Sequence, residues 1–225
     1  MDAALLTVGD ELLAGETENT NASWLARRLR ERGVDLRRIV VVPDDIAAIA
    51  DSVSSLSARY DAVLVTGGIG PTHDDVTMEG VAEAFDVQML EHPDARAYFE
   101  NHTEYAAEEL VAGTGDLPAG ARLLPNDEGV APGAVMENVY VLPGVPEEMR
   151  CMFSHVEEEF AGTPVRTATV RTDNPESALI EVLAELRERF DVSVGSYPGE
   201  EVTIKIHSPD REETERAAAW LAERV

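Results

Sequence analysis

Cysteine and lysine are almost missing from this chain of 225 residues: Cys151 is the only thiol and Lys205 the only lysine. A single thiol excludes an internal disulfide and any multi-cysteine zinc site, and Cys151 reads as a small core residue rather than a nucleophile. Without a lysine near a glycine loop there is no Gly-Lys-Ser or Gly-Lys-Thr phosphate loop. Long apolar runs are lacking too. Ala62 to Thr66 and Val139 to Leu142 are among the longest, far below the roughly 20 residues that span a bilayer. No basic segment followed by an apolar stretch opens the chain, so a secretory signal is not expected and the address is cytoplasmic by default, with no membrane partner. Neither a GxSxG elbow nor an HExxH pair occurs, and the histidines at 73, 92, 102, 155 and 207 show no metal-ligand spacing.

Acidic side chains are what the sequence has in excess. Asp and Glu number 44 against 18 Lys and Arg, giving a net charge of −26 and a pI near 4.3. Binding a nucleic-acid backbone requires a basic stripe that displaces counterions, so nucleic-acid partners are excluded. Such a surface repels itself at low salt and holds hydrated cations at high salt, which points to a salt-loving source. With 44% hydrophobic residues there is still material for a real core.

The first half alternates apolar runs with helical periodicity, the pattern of a mostly parallel sheet flanked by helices. Ala3 to Val8 reads as a strand. Ala22, Leu25, Ala26 and Leu29 mark a helix closed by Gly33, Val34 to Val42 a second strand, and Ile46, Ile49, Ala50 and Val53 a second helix. Ala62 to Thr66 is a buried strand that runs into Gly67-Gly68-Ile69-Gly70-Pro71. Glu91 to Ala112 is acidic and helical, Gly113 to Gly120 a loop, and short strands follow at Ala121 to Leu124 and Ala134 to Leu142. A helix from Pro146 carries Met149, Met152, Phe153 and Val156 on one face. Gly162-Thr163-Pro164 reads as a hinge between a domain of residues 1–162 and a small α+β domain of 165–225, ordered strand, helix, strand, strand, helix. Some 60 residues bury little alone, and Val202, Ile204 and Ile206 alternate as a strand with one face to cover, so a homo-oligomer, with a dimer favoured, is expected.

Chemistry concentrates at Thr66 to Thr77. Glycines after a strand let a ligand approach the backbone, and the N–H groups at the next helix start hold phosphate. Asp74 and Asp75 follow directly. Beside a phosphate cradle they would repel the anion unless a divalent cation lay between, and carboxylate plus phosphate oxygen is a usual Mg²⁺ environment. Asp10 and Glu11 follow the first strand and Asp44 and Asp45 the second, so all these carboxylates are expected to converge at the carboxyl ends of the strands. Asp44 suits equally well the cap of the helix carrying Ile46 and Ile49. His73 lies inside the loop, either as part of the site or as a solvated residue.

Four ordered motifs carry a family resemblance: Gly9-Asp10-Glu11-Leu12-Leu13 with Gly15 and Asn19-Thr20-Asn21-Ala22; GGIGPTHDDVT at 67–77; Pro125-Asn126 with Gly129 and Ala131-Pro132-Gly133; and Leu142-Pro143-Gly144-Val145-Pro146-Glu147-Glu148-Met149. Over about residues 1–160 the chain resembles the N-terminal domain of CinA, in the molybdopterin-binding group shared with MoaB, Mog and gephyrin. The remainder, around Gly195-Ser196-Tyr197-Pro198, is similar to the small domain that follows this module in CinA-like proteins and eukaryotic FAD synthases. The resemblance implies a three-layer α/β/α fold that binds a nucleotide or a molybdopterin-like ligand with a divalent metal (Mg, Mn or Co), with no organic cofactor certain. By position it makes Asp44 and Asp75 catalytic and gives the metal to Asp44, Asp74 and Asp75, with Asp10 and Glu11 nearby. Ligand contacts fall to Gly67, Gly68, Gly70, Pro71, Thr72, Thr77, Asn126, Pro143, Gly144, Val145 and Pro146. The deamidase domain of full-length CinA is not expected here. A metal-dependent pyrophosphatase acting on ADP-ribose or a similar dinucleotide is the first reading, molybdopterin adenylyltransferase the alternative, and a non-catalytic nucleotide- or pterin-binding module a third.

Overall fold

The structure is a computed structural model and describes residues 1–70, 72–102 and 113–225. Pro71 and the distal part of the acidic segment, residues 103–112, lie outside the described residues. The chain divides into two compact units, Met1–Gly162 and Thr163–Val225.

The first unit is built on β1 (Asp2–Val8), β2 (Asp35–Val42), β3 (Ala62–Gly67), β8 (Val139–Pro143), β7 (Gly133–Met136) and β6 (Arg122–Leu124). They form one sheet in the order β2-β1-β3-β8-β7-β6, with the first four strands parallel and the last two antiparallel. β1 and β3 are buried on both faces, as their unbroken apolar runs require. Alternate residues of β1 face opposite layers. Ala3 and Leu5 join the core beneath α2 (Thr20–Glu31) and α6 (Pro146–Ser154), whereas Ala4, Leu6 and Val8 join the core beneath α3 (Ile46–Ser57) and α4 (Thr77–Ala84). The result is a three-layer α/β/α domain with a mostly parallel sheet, as expected from the alternating pattern. Gly33, at φ +76°, lies just past α2 in the left-handed conformation that lets the chain turn into β2.

The segment expected to be a loop at 113–120 contains β5 (Asp116–Pro118), which pairs antiparallel with β4 (Met89–Glu91). Three-residue strands carry too little periodicity to register in a sequence. A short helix, α1 (Asp10–Leu13), follows β1 directly; of the segment expected to be helical from Glu91, α5 occupies Ala95–His102, whereas Glu91 ends β4 and residues 92–94 are not helical.

The second unit runs β9 (Arg166–Thr172), α7 (Ile180–Arg189), β10 (Ser193–Tyr197), β11 (Val202–Ser208) and α8 (Arg211–Ala222), its strands forming an antiparallel sheet in the order β10-β11-β9. It has a core of its own. Val202, Ile204 and Ile206 are buried with Leu183 and Leu186 of α7 and with Ala217, Trp220 and Leu221 of α8. The apolar strand face from which self-association was expected is therefore covered inside the unit, and that reason for a dimer falls away. Among the described residues no helix is long and apolar enough to cross a membrane.

Candidate functional site

Strand order decides where the site lies. β2 pairs on one side of β1 and β3 on the other, so the chain reverses its winding there and a crevice opens above the carboxyl ends of β1 and β3. The Asn19-Thr20-Asn21 segment crosses this edge. The Asn19 carboxamide accepts from Ala22 N–H at 3.0 Å as the N-cap of α2 and donates to Thr7 Oγ1 at 3.1 Å. Asn21 Nδ2 donates to the Gly144 carbonyl at 2.7 Å, tying α2 to the turn after β8. Between them is a recess of about 110 Å³ lined in part by Thr7, Glu11, Asn19, Asn21, Thr66 and Pro146. Asn21 Oδ1 and Thr66 Oγ1 are buried there without a hydrogen-bond partner among the described residues. Unpaired buried polar atoms of this kind cost about 1–3 kcal/mol each, a cost that a polar ligand or a water would relieve.

The glycine loop borders an adjoining cleft of about 380 Å³, whose walls include Gly67, Gly68, Gly70, Pro143, Gly144, Val145, Asp75 and Glu148. Asp75 shapes this loop. Its Oδ2 accepts from the Thr72 N–H at 3.2 Å and from the Thr72 hydroxyl, and the carboxylate fills the space where side chains on Gly68 and Gly70 would stand. Thr77 opens α4 beneath the loop; its hydroxyl is fully buried, packed against Gly67 and without a partner among the described residues. Thr72 is exposed and reaches the cleft through Asp75. His73 is exposed to solvent, with Nδ1 3.8 Å from Asp74.

Asp44 lies at the end of β2 and accepts the Asp10 N–H on Oδ2 at 2.9 Å. Capping of α3 falls to Asp45, which accepts from Ala48 N–H at 2.9 Å and leaves the Asp44 carboxylate for this edge. Burial pushes the Asp44 carboxyl above its ordinary value, and the charges of Asp10, Glu11 and Asp74 push it the same way against the hydrogen bond from Asp10. The second strand end and the loop aspartate thus share one negative edge. Among the described residues, no three acidic or imidazole side chains at this edge have ligand atoms all within 4.8 Å of one another. Mg²⁺ commonly takes one or two carboxylates and completes its shell with water and substrate phosphate, so this hard-oxygen edge suits such an ion with phosphate present.

Asn126 turns out to be a structural hub. It is fully buried; Nδ2 donates to the Ala131 carbonyl at 3.0 Å and to Glu148 Oε2 at 2.7 Å, and Oδ1 accepts from Gly129 N–H at 3.0 Å. Tyr98, itself buried, hydrogen-bonds the Asn126 backbone. With its amide committed, Asn126 acts on the cleft by holding Glu148 and the 129–131 turn. Glu148, Asn21 and Thr66 fall inside the segments quoted from the sequence but were given no site role there. Cys151 is half-buried, and burial together with the charges of Asp127 and Glu128 pushes its thiol up, the opposite of what a nucleophile needs.

A probable molybdopterin-binding domain model matches residues 4–163, and a model of the FAD synthase middle domain matches 164–225. A protein of Archaeoglobus fulgidus is 35% identical, the alignment covering 99% of this chain and 97% of that protein. The crystal structure of a protein CinA of unknown function from Thermoplasma acidophilum superposes with a TM-score of 0.65 at 34% identity, over 71% of this chain and 97% of that one. The chain belongs to the molybdopterin-binding domain family, on its CinA-like branch. A putative competence-damage inducible protein of Desulforudis audaxviator is 32% identical across all of this chain, which spans 59% of that longer protein. Neither family match is to a deamidase domain.

Proposed function

We propose that this CinA-like protein is a metal-assisted nucleotide pyrophosphatase that cleaves ADP-ribose or a similar dinucleotide. The observation that carries the reading is the meeting, at one sheet edge, of a glycine loop with accessible backbone, the half-buried Asp44 carboxylate, and buried polar atoms that lack partners among the described residues. Backbone N–H groups of Gly68 and Gly70, with the start of α4, bind phosphate oxygens. Asn21 and Thr66 take the polar end of the ligand in the recess. A divalent cation bound by Asp44 and Asp74 would supply charge neutralisation for the two phosphates and a more acidic water. Asp44 accepts the proton of the attacking water on carboxylate density not engaged by the cation; the bridging P–O bond breaks, and ADP-ribose plus water gives AMP and ribose 5-phosphate. Asp75 keeps the loop open by occupying the space beside Gly68 and Gly70.

Incubation at molar KCl with ADP-ribose, other nucleotide sugars, or molybdopterin plus ATP, each with Mg²⁺, Mn²⁺ or Co²⁺, tests this reading. Metal-dependent release of AMP from a dinucleotide supports it. Adenylylation of molybdopterin without dinucleotide cleavage, or ligand binding without turnover, overturns it.

A further inference from the structure

Asp127, Cys151 and His155 bring one carboxylate oxygen, one sulfur and one imidazole nitrogen within 4.8 Å of one another, and none of the three has a role in the cleft described above. The helix explains half of this. Cys151 lies on α6 and His155 is the residue that caps it, so the two are four positions apart and share a face. The loop after Asn126 explains the rest, because Asn126 anchors the turn that presents Asp127 to that face. His155 Nε2 and Asp127 Oδ2 are 2.8 Å apart. Both of these side chains are reached by solvent, with exposures of 33% for His155 and 43% for Asp127, so an ion can enter without unfolding.

We infer that this cluster is a binding site for a borderline-soft divalent cation of the Zn²⁺ class. The donor set decides the class: thiolate and imidazole favour Zn²⁺ and its Co²⁺ surrogate over Mg²⁺ or Ca²⁺, which prefer all-oxygen shells. Ligand bonds of about 2.0–2.3 Å place tetrahedral neighbours about 3.3–3.8 Å apart, so the donors need to shift by about 1 Å or less. The Cys151 thiol gives its proton to solvent as the Zn–S bond forms, and a water completes the shell. An ion here clamps the 126–129 turn to α6, the helix whose Glu148 is held by Asn126. The site therefore stiffens one wall of the cleft without touching the reacting atoms.

The test is titration of the full chain with Co²⁺ at molar KCl, with excess Mg²⁺ to saturate the acidic surface and a non-thiol reductant to prevent disulfide-linked dimers. One equivalent with a thiolate-to-cobalt charge-transfer absorption is expected. Cys151→Ser should abolish that band, and His155→Ala and Asp127→Asn should each weaken binding at least about tenfold. Zn²⁺ should displace Co²⁺ and shield Cys151 from alkylation. Circular dichroism confirms that each variant is folded. Absence of the band, or Co²⁺ binding unchanged in Cys151→Ser, overturns the inference; loss of ADP-ribose cleavage would not bear on it.

Discussion

A methyl group added at Gly68 asks whether the glycine loop and Asp75 are one mechanical unit. In Gly68→Ala the new carbon would press on Asp75 Oδ1, lie 3.0 Å from Asp75 Cγ and 3.1 Å from the Asp75 Cα. Two of those atoms belong to a side chain that can turn away; the third is backbone and must give by a few tenths of an ångström. Overpacking of this kind costs about 1–3 kcal/mol. Asp75→Ala alone removes the two hydrogen bonds from Thr72, worth about 0.5–1.5 kcal/mol each. In the double variant the methyl no longer meets a carboxylate, so the combined loss should fall short of the sum by about 1 kcal/mol or more. Urea unfolding at molar KCl, followed by Trp24 fluorescence in a Trp220→Phe background, reads the first unit alone, since Trp24 packs edge-on against Phe153 within it. Strict additivity, or a Gly68→Ala as stable as the parent, would refute the account of the loop.

Three further outcomes follow from the same structure. Stability should rise with KCl into the molar range, because a charge of −26 repels itself and counterions screen it within about 10 Å at 0.1 M; a flat or falling melting temperature would contradict this. Asp44 carries a raised carboxyl in the folded state, so the folded protein binds more protons than the unfolded one just above pH 3.8 and the charged side chain costs stability at neutral pH. Asp44→Asn should therefore stabilise at pH 7, with the gain vanishing below pH 3.8; denaturation across that range checks it. Tyr140, whose buried hydroxyl donates to Glu159 Oε2 at 3.0 Å, is pushed up to about 12, so its contribution is complete below pH 10 and is lost as pH rises through 12. Tyr140→Phe should flatten that alkaline slope in unfolding measurements.

Much of the fold was readable because β1 and β3 are continuous apolar runs and the helices between them keep a 3.6-residue repeat. What escaped were elements too short to have a period, β4 and β5, and the covering of β11, which depends on how α7 and α8 pack. At the site the glycine loop announced itself by composition. Whether Asp44 caps α3 or serves the site was undecidable by spacing, and only the hydrogen bond from Ala48 to Asp45 separates the two. The resemblance made Asn126 a ligand contact by position, yet its amide is committed to Ala131, Glu148 and Gly129 inside the protein. Asn21 and Thr66 stood in the singled-out segments without a role, and acquired one only as buried atoms without partners among the described residues. The approach of Asp127 to His155 joins positions 28 apart, and no local pattern encodes it.

The central claim is that this edge cleaves a pyrophosphate bond with Asp44 taking the proton. Steady-state hydrolysis of ADP-ribose at molar KCl by the parent and by Asp44→Asn, with folding checked by circular dichroism, tests it most directly. The account predicts AMP and ribose 5-phosphate from the parent and a drop of about 10²–10⁴-fold in kcat for the variant. Equal rates from the two folded proteins, or no AMP from the parent with any of Mg²⁺, Mn²⁺ and Co²⁺, would contradict it.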